Sequence, residues 1–269
     1  MVRHARIVCK ALDPVPCRKV APSLLLFDPV ARSASVGLDL SLRGAGMAVM
    51  LDGKLHSATA WTDQKGIQKD YPKLLSWFKM KANTESDRQH RIDLITRWVC
   101  GAVVVAHKLA SNVHVAFEGY AFSKRTTGLS DIHELGGAIK GWLWSRGVPY
   151  RTYDPMSIKL AWTGKGTAEK ADMVAACHLR FPDLKLEAMA ARSVETAGNI
   201  ADATLIAALL HEELELKAGR ARLEDLREGM RRVMIRTTKS EPEALVSRSF
   251  ITSGAASPPL PTFATQTVA

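Results

Sequence analysis

The spacing of hydrophobic positions changes period several times along the chain, and each change marks an element. Residues 35–40 alternate, with Val36, Leu38 and Leu40 on one face and Gly37, Asp39 and Ser41 on the other, which is the two-residue period of a strand. Residues 46–51 and 54–61 continue as short strands after tight turns, so the three predict an antiparallel meander. Thr84 is a capping residue. Beyond it Ile92, Ile95, Val99, Ala102, Val103, Ala106 and Ala110 recur at threes and fours, the period of a long amphipathic helix. Residues 112–118 alternate again and place Val113, Val115 and Phe117 opposite Glu118. Ser130 is read as the cap of a second helix ending at Gly147, residues 149–154 as a fifth strand, and Thr167 as the cap of a third helix that stops before Pro182. A last helix covers residues 195–217. The order β-β-β-α-β-α-β-α-α predicts an α/β fold, a five-stranded mixed sheet flanked by helices.

Composition supports a folded domain and narrows its partners. With 46% hydrophobic and 24% charged residues the chain lies outside the polar, highly charged class that stays disordered. A net charge of +10 makes anions the first class of partner to consider. The four cysteines, Cys9, Cys17, Cys100 and Cys177, contain no CxxC pair, which argues against a zinc knuckle or disulfide framework and for a reducing compartment. Cys100 and Cys177 read as small buried apolar side chains. The longest apolar stretch, residues 98–106, is about half of the roughly 20 residues a membrane helix needs, and Arg97 and His107 flank it. No membrane partner is expected.

Charge also divides the chain. Residues 1–33 form a basic arm interrupted by Pro14, Pro16, Pro22 and Pro29, residues 34–216 carry the periodic elements, and residues 217–269 form a charged extension that turns Ser-, Pro- and Thr-rich from Thr252. That extension is expected to be partly disordered. The arm lacks the apolar run of a secretory signal. A cytoplasmic setting is the first expectation, and an organelle, reached through the Arg-rich arm, is the second.

Three acids at the ends of apolar elements carry the chemistry. Asp39 lies in a strand, Glu118 closes another, and Asp202 lies in an Ala- and Leu-rich helix. Taken singly they have plain structural readings, as a turn former, a strand terminator and a partner for neighbouring backbone. Gathered to about 5 Å, carboxylates repel by roughly 3 kcal/mol per pair at an effective dielectric near 20, so a cluster requires a cation or raised pKa values. Oxygen-rich sites of this type hold Mg²⁺ or Mn²⁺, and an ion pair suits phosphodiester cleavage.

These acids sit in longer motifs. GLDLSLRGAG (37–46), FEGYAF (117–122), HELGGAIKGWL (133–143), SIKLAWTGKGTAEK (157–170) and NIADATLIAALL (199–210) resemble, in order and separation, the motifs of the RuvC family of Holliday junction resolvases, particularly its phage-type members in the retroviral-integrase-like superfamily. The resemblance implies an RNase H-like fold and a homodimer that makes paired nicks across a four-way DNA junction, using two Mg²⁺ ions per site, in a bacterial or phage-infected cell. It makes Asp39, Glu118 and Asp202 metal-binding catalytic acids and places Lys159 and Lys170 on the family's active-site lysines. Two departures stand out. Leu40 follows Asp39 where proline is common, and Asn199 stands where well-known members carry a fourth acid, on the same helix face as Asp202. Three carboxylates and one scissile phosphate balance two divalent ions, so Asn199 serves as a neutral metal ligand or Glu195, one turn earlier, replaces it.

Basic and aromatic residues flank the acids. Tyr120, Phe122, Lys124 and Arg125 follow Glu118, and stacking on an unpaired base is worth roughly 1–3 kcal/mol, so this loop is assigned to DNA. Lys165, in the Gly164–Gly166 turn before the third helix, is assigned to phosphate through backbone N–H groups at a helix start; the same turn also reads as a plain helix cap. GKGT is not a Walker A loop. Trp142, Trp144 and Trp162 read as core or dimer packing, and the histidines have no ligand spacing. Residues 119–170 hold eight bases and four acids, which concentrates positive charge between the second and third acids. Two further classes remain open at this point: a non-catalytic nucleic-acid-binding module on the same fold, and an actin-like or sugar-kinase-type phosphotransferase, whose first phosphate loop has a similar Gly-x-Asp form.

Overall fold

A computed structural model describes residues 32–62, 67–71, 73–77, 84–119, 129–238 and 242–253. Tyr120, Phe122, Lys124 and Arg125, the basic arm before residue 32 and the stretch after residue 253 lie outside the described residues.

Strands β1 (Ser33–Asp39), β2 (Gly46–Leu51) and β3 (Lys54–Thr62) form the antiparallel meander, while β5 (Asn112–Glu118) and β6 (Tyr150–Tyr153) extend it in parallel from β1. These are the five strands expected. A three-residue strand, β4 (Leu75–Trp77), joins the far edge, giving the order β4-β3-β2-β1-β5-β6. It is too short to show a period. The crossovers from β3 to β5 and from β5 to β6 run through α1 (Glu85–Leu109) and α2 (Leu129–Ser145), as parallel pairing requires. This is the RNase H-like arrangement.

Helices cover both faces. Val36, Leu38, Val113, Val115 and Phe117 pack with Ile95, Val99, Val103, Leu135 and Ile139 of α1 and α2. On the other face Ala48, Met50, Ala60 and Ala116 pack beneath α6 (Val194–Lys217), whose residues 196–210 are buried except Asp202. Thr84 caps α1 as expected: its hydroxyl accepts from the Asp87 N–H at 3.1 Å and the Asp87 carboxylate answers at 3.2 Å. Cys100 and Cys177 are buried, and Trp162 is buried with its indole N–H donating to the Leu205 carbonyl at 2.9 Å. Trp144, by contrast, is exposed.

Three expectations need correction. Ser130 lies inside the first turn of α2 rather than at its cap. Residues 155–163 form a helix of their own, α3 (Pro155–Thr163), capped by Asp154, which accepts from the Ser157 N–H at 3.0 Å. Gly164 terminates that helix in the left-handed conformation, and the next helix, α4 (Lys170–Arg180), starts from Glu169, not Thr167. The turn at Lys165 therefore closes a helix. Its Gly164 N–H goes to the Leu160 carbonyl and its Lys165 N–H to the Thr163 hydroxyl, so these donors are spent and the helix-start reading of a phosphate cradle does not hold.

The folded unit also continues past residue 216. After α5 (Leu186–Ala190) and α6, helix α7 (Glu228–Met234) buries Met230, Val233 and Met234, and Leu245 joins the same core. Ile251 pairs with Tyr150 at the β6 edge of the sheet. Alternating charge hid these few apolar anchors. Among the described residues no helix is long and apolar enough to cross a membrane.

Candidate active site

Pairing places the first two acids together. β1 and β5 run parallel with Leu38 beside Phe117, so Asp39 and Glu118 leave the same end of the sheet one residue later. Strand alternation then selects the face: Val36, Leu38, Val115 and Phe117 belong to the α1–α2 layer, whereas Ala116 belongs to the α6 layer. Gly37 lies directly under α6, where a Cβ would meet the Ala203 carbonyl and the Ala207 backbone. Asp39 and Glu118, two residues on from Gly37 and Ala116, therefore face α6. A Cβ on Gly46 would likewise strike the Asn199 carbonyl. Glycine at these positions lets the helix approach at backbone distance, which brings Asp202 to the two strand ends.

The three acids act on one another. Asp39 and Glu118 are close enough to shift each other's titration. Burial, then the neighbouring Glu118, pushes Asp39 well above the ordinary carboxylate range. Burial and the charge of Asp202 push Glu118 up to about 7, and burial and Asp39 push Asp202 up to about 7. Lys159 and Lys170 are close enough to draw the pKa values of Glu118 and Asp202 down, and Lys170 acts on Asp39 as well. Burial works against the Lys170 ammonium, but Asp39, Glu195 and Asp202 outweigh it and hold its pKa raised. Lys159 comes from α3, Lys170 from the first position of α4. Thus five residues expected from distant segments meet at one place, while Lys165 stands exposed after α3.

Asn199 is also there, with its amide engaged by protein: Lys170 Nζ donates to its Oδ1 and its Nδ2 donates to the Gly44 carbonyl, both at 2.7 Å. Glu195 accepts from the same ammonium at 3.0 Å. Cys177 lies near Asp202, but burial pushes its thiol up to about 12, so it stays protonated.

Among the described residues no three His, Cys, Asp or Glu side chains form a ready-made ion site as they stand. The chemistry of the donor set nonetheless suits a hard divalent cation: all donors are carboxylate oxygens, and all are pushed toward protonation by burial and mutual repulsion. A cation would relieve that repulsion.

An RNase H-like sheet with an acid trio across β1, β5 and α6 is the class that fold and site define. No family model and no curated protein matches the chain. Among solved structures it is similar to Thermus thermophilus RuvC, at 18% identity and a TM-score of 0.44, over 70% of this chain and 98% of that one. The same similarity extends to T. thermophilus RuvC in complex with a Holliday junction substrate, at 17% identity, a TM-score of 0.44 and the same coverage. The yeast mitochondrial Holliday junction resolvase Ydc2 is similar at 16% identity and a TM-score of 0.44, over 71% of this chain and 82% of that one.

Proposed function

We propose that this protein is a structure-selective DNA endonuclease that resolves four-way junctions and branched DNA by metal-dependent phosphodiester hydrolysis. The observation that carries this reading is the convergence of Asp39, Glu118 and Asp202, from three separate elements, on one end of the sheet with Lys159 and Lys170 beside them. Two divalent ions, Mg²⁺ or Mn²⁺, held by those three carboxylates would supply Lewis acidity to the scissile phosphate and activate water. The protein's part is positional. The strand ends fix Asp39 and Glu118, the close approach of α6 fixes Asp202, and partial burial keeps the carboxylates from spending their charge on solvent. Lys170, held charged, is placed to offset negative charge that develops on phosphoryl oxygens, with Lys159 as its neighbour in that role. A homodimer, whose two-fold axis matches the pseudo-symmetry of a four-way junction, would set two such sites for paired nicks.

Asp39→Asn tests the assignment. Cleavage of a synthetic four-way junction should fall by ~10² or more, while junction binding in EDTA stays at the level of the unchanged protein. Full cleavage by this variant would remove Asp39 from the mechanism.

A further inference from the structure

The surroundings of Asn199 assign it work other than metal ligation. Its side chain is almost fully enclosed, with 3% of the residue exposed. An ammonium can only donate and a backbone carbonyl can only accept, so the amide oxygen must face Lys170 and the amide nitrogen must face Gly44, as they do. Both neighbours are themselves held. Gly44 belongs to the turn between β1 and β2, and on the opposite face the buried Arg91 of α1 donates to the Leu42 carbonyl of the same turn at 3.0 Å. Space for the amide is made by glycine on both sides. A Cβ on Gly44 would stand 2.7 Å from Asn199 Nδ2, and one on Gly198 would stand 2.9 Å from Lys170 Cδ.

A carboxylate at position 199 would lack the donor that Gly44 requires and would set oxygen against oxygen. The amide oxygen, for its part, already meets one cation in Lys170, and a second cation on the same atom would be repelled by the first.

We propose that Asn199 is a positioning residue, its amide tying the β1–β2 turn to Lys170 and so holding the ammonium beside Asp39, Glu118 and Asp202. The proposal rests on the acid trio being the reacting centre. It gives the departure from a fourth acid a physical reason: a neutral side chain with one donor and one acceptor can bridge a carbonyl and an ammonium, and aspartate cannot. Glu195 is the second anchor of Lys170, on the solvent side.

Asn199→Asp and Asn199→Ala separate clamp from ligand. Thermal unfolding in EDTA should show Asn199→Asp, nearly identical in size, melting lower by about 5 °C through the lost donor and the oxygen contact. Calorimetric titration of the DNA-free protein with Mn²⁺ should give the same half-saturation for Asn199→Ala as for the unchanged chain. Steady-state cleavage by Asn199→Ala should lose about tenfold in kcat with KM unaltered, the effect of a lysine no longer held in place. An Asn199→Asp protein that melts at or above the unchanged chain, or an Asn199→Ala protein whose Mn²⁺ half-saturation rises by about tenfold, would overturn the proposal. If the unchanged chain neither takes up Mn²⁺ nor cuts junctions, the enzyme reading fails, and the melting comparison still decides whether the amide clamps the turn.

Discussion

Asp39 and Glu118 stand one position beyond the paired Leu38 and Phe117 on adjacent parallel strands, and the Glu118 charge adds to burial in holding the Asp39 carboxyl well above its ordinary range. Asp202 adds a third carboxylate to the same enclosure. The net effect of this enclosure on folding depends on pH.

Burial and mutual repulsion raise Glu118 and Asp202 to about 7 in the folded protein. Between roughly pH 4, where free carboxyls titrate, and neutrality, the folded state binds more protons than the unfolded chain, so this contribution to stability is full at low pH and is lost as pH rises. In EDTA at pH 8, Asp202→Asn should melt above the unchanged protein by about 3 °C or more, and the gap should narrow at pH 5. Added Mg²⁺ should raise the melting temperature of the unchanged protein at pH 8 and leave that of the variant nearly where it was. Differential scanning calorimetry at the two pH values checks both expectations.

The position of Asp202 depends on a residue with no side chain. A Cβ at Gly37 would collide with the Ala203 carbonyl and the Ala207 backbone, atoms of a helix interior that cannot rotate away. Gly37→Ala should displace α6 and cost about 3 kcal/mol or more, the upper range for overpacking a core. Urea unfolding would show a lower midpoint, and junction cleavage should fall in the fraction that remains folded because Asp202 moves with its helix.

A buried carboxylate outside the acid trio has a structural task. Glu213 of α6 is fully enclosed, accepts from the Tyr153 hydroxyl at 2.8 Å and pairs with Arg151 at 2.9 Å. Arg151 and Lys217 reach on to the C-terminal segment, donating to the carbonyls of Arg248 and Val246 at 2.6 Å each, and both cations lie over the Phe250 ring. Glu213→Ala leaves Arg151 buried without its counter-charge, which should cost about 3–5 kcal/mol. Limited proteolysis should then cut in the segment 242–253 far sooner than in the unchanged protein.

The elements with a clear period were legible in the sequence, and the acids were legible because each broke an apolar run. Strand alternation alone put Asp39 on the face of Gly37, which is where α6 lies. The order of the motifs, more than any one of them, announced that Asp39, Glu118 and Asp202 belong together. What was not legible depended on contacts without local pattern. Nothing near Glu213 signals an arginine 62 positions earlier, as the Arg151–Glu213 pair requires. Nothing near Asn199 signals the Gly44 carbonyl, 155 positions away. Helix α3 was hidden because nine residues beginning with proline give little more than two turns of period. The turn at Lys165 reads as a helix start for the same reason, since the end of α3 and the start of α4 lie only a few residues apart.

We propose that the acid trio cuts branched DNA with divalent ions. Its most direct test is incubation of the protein with an end-labelled four-way junction and with a linear duplex of the same sequence, with Mg²⁺ or with EDTA, and mapping of the products on a denaturing gel. Paired nicks near the branch point are expected in the junction with Mg²⁺, none in EDTA, and little cutting of the linear duplex. An intact junction in Mg²⁺, or cutting that persists in EDTA, would contradict it.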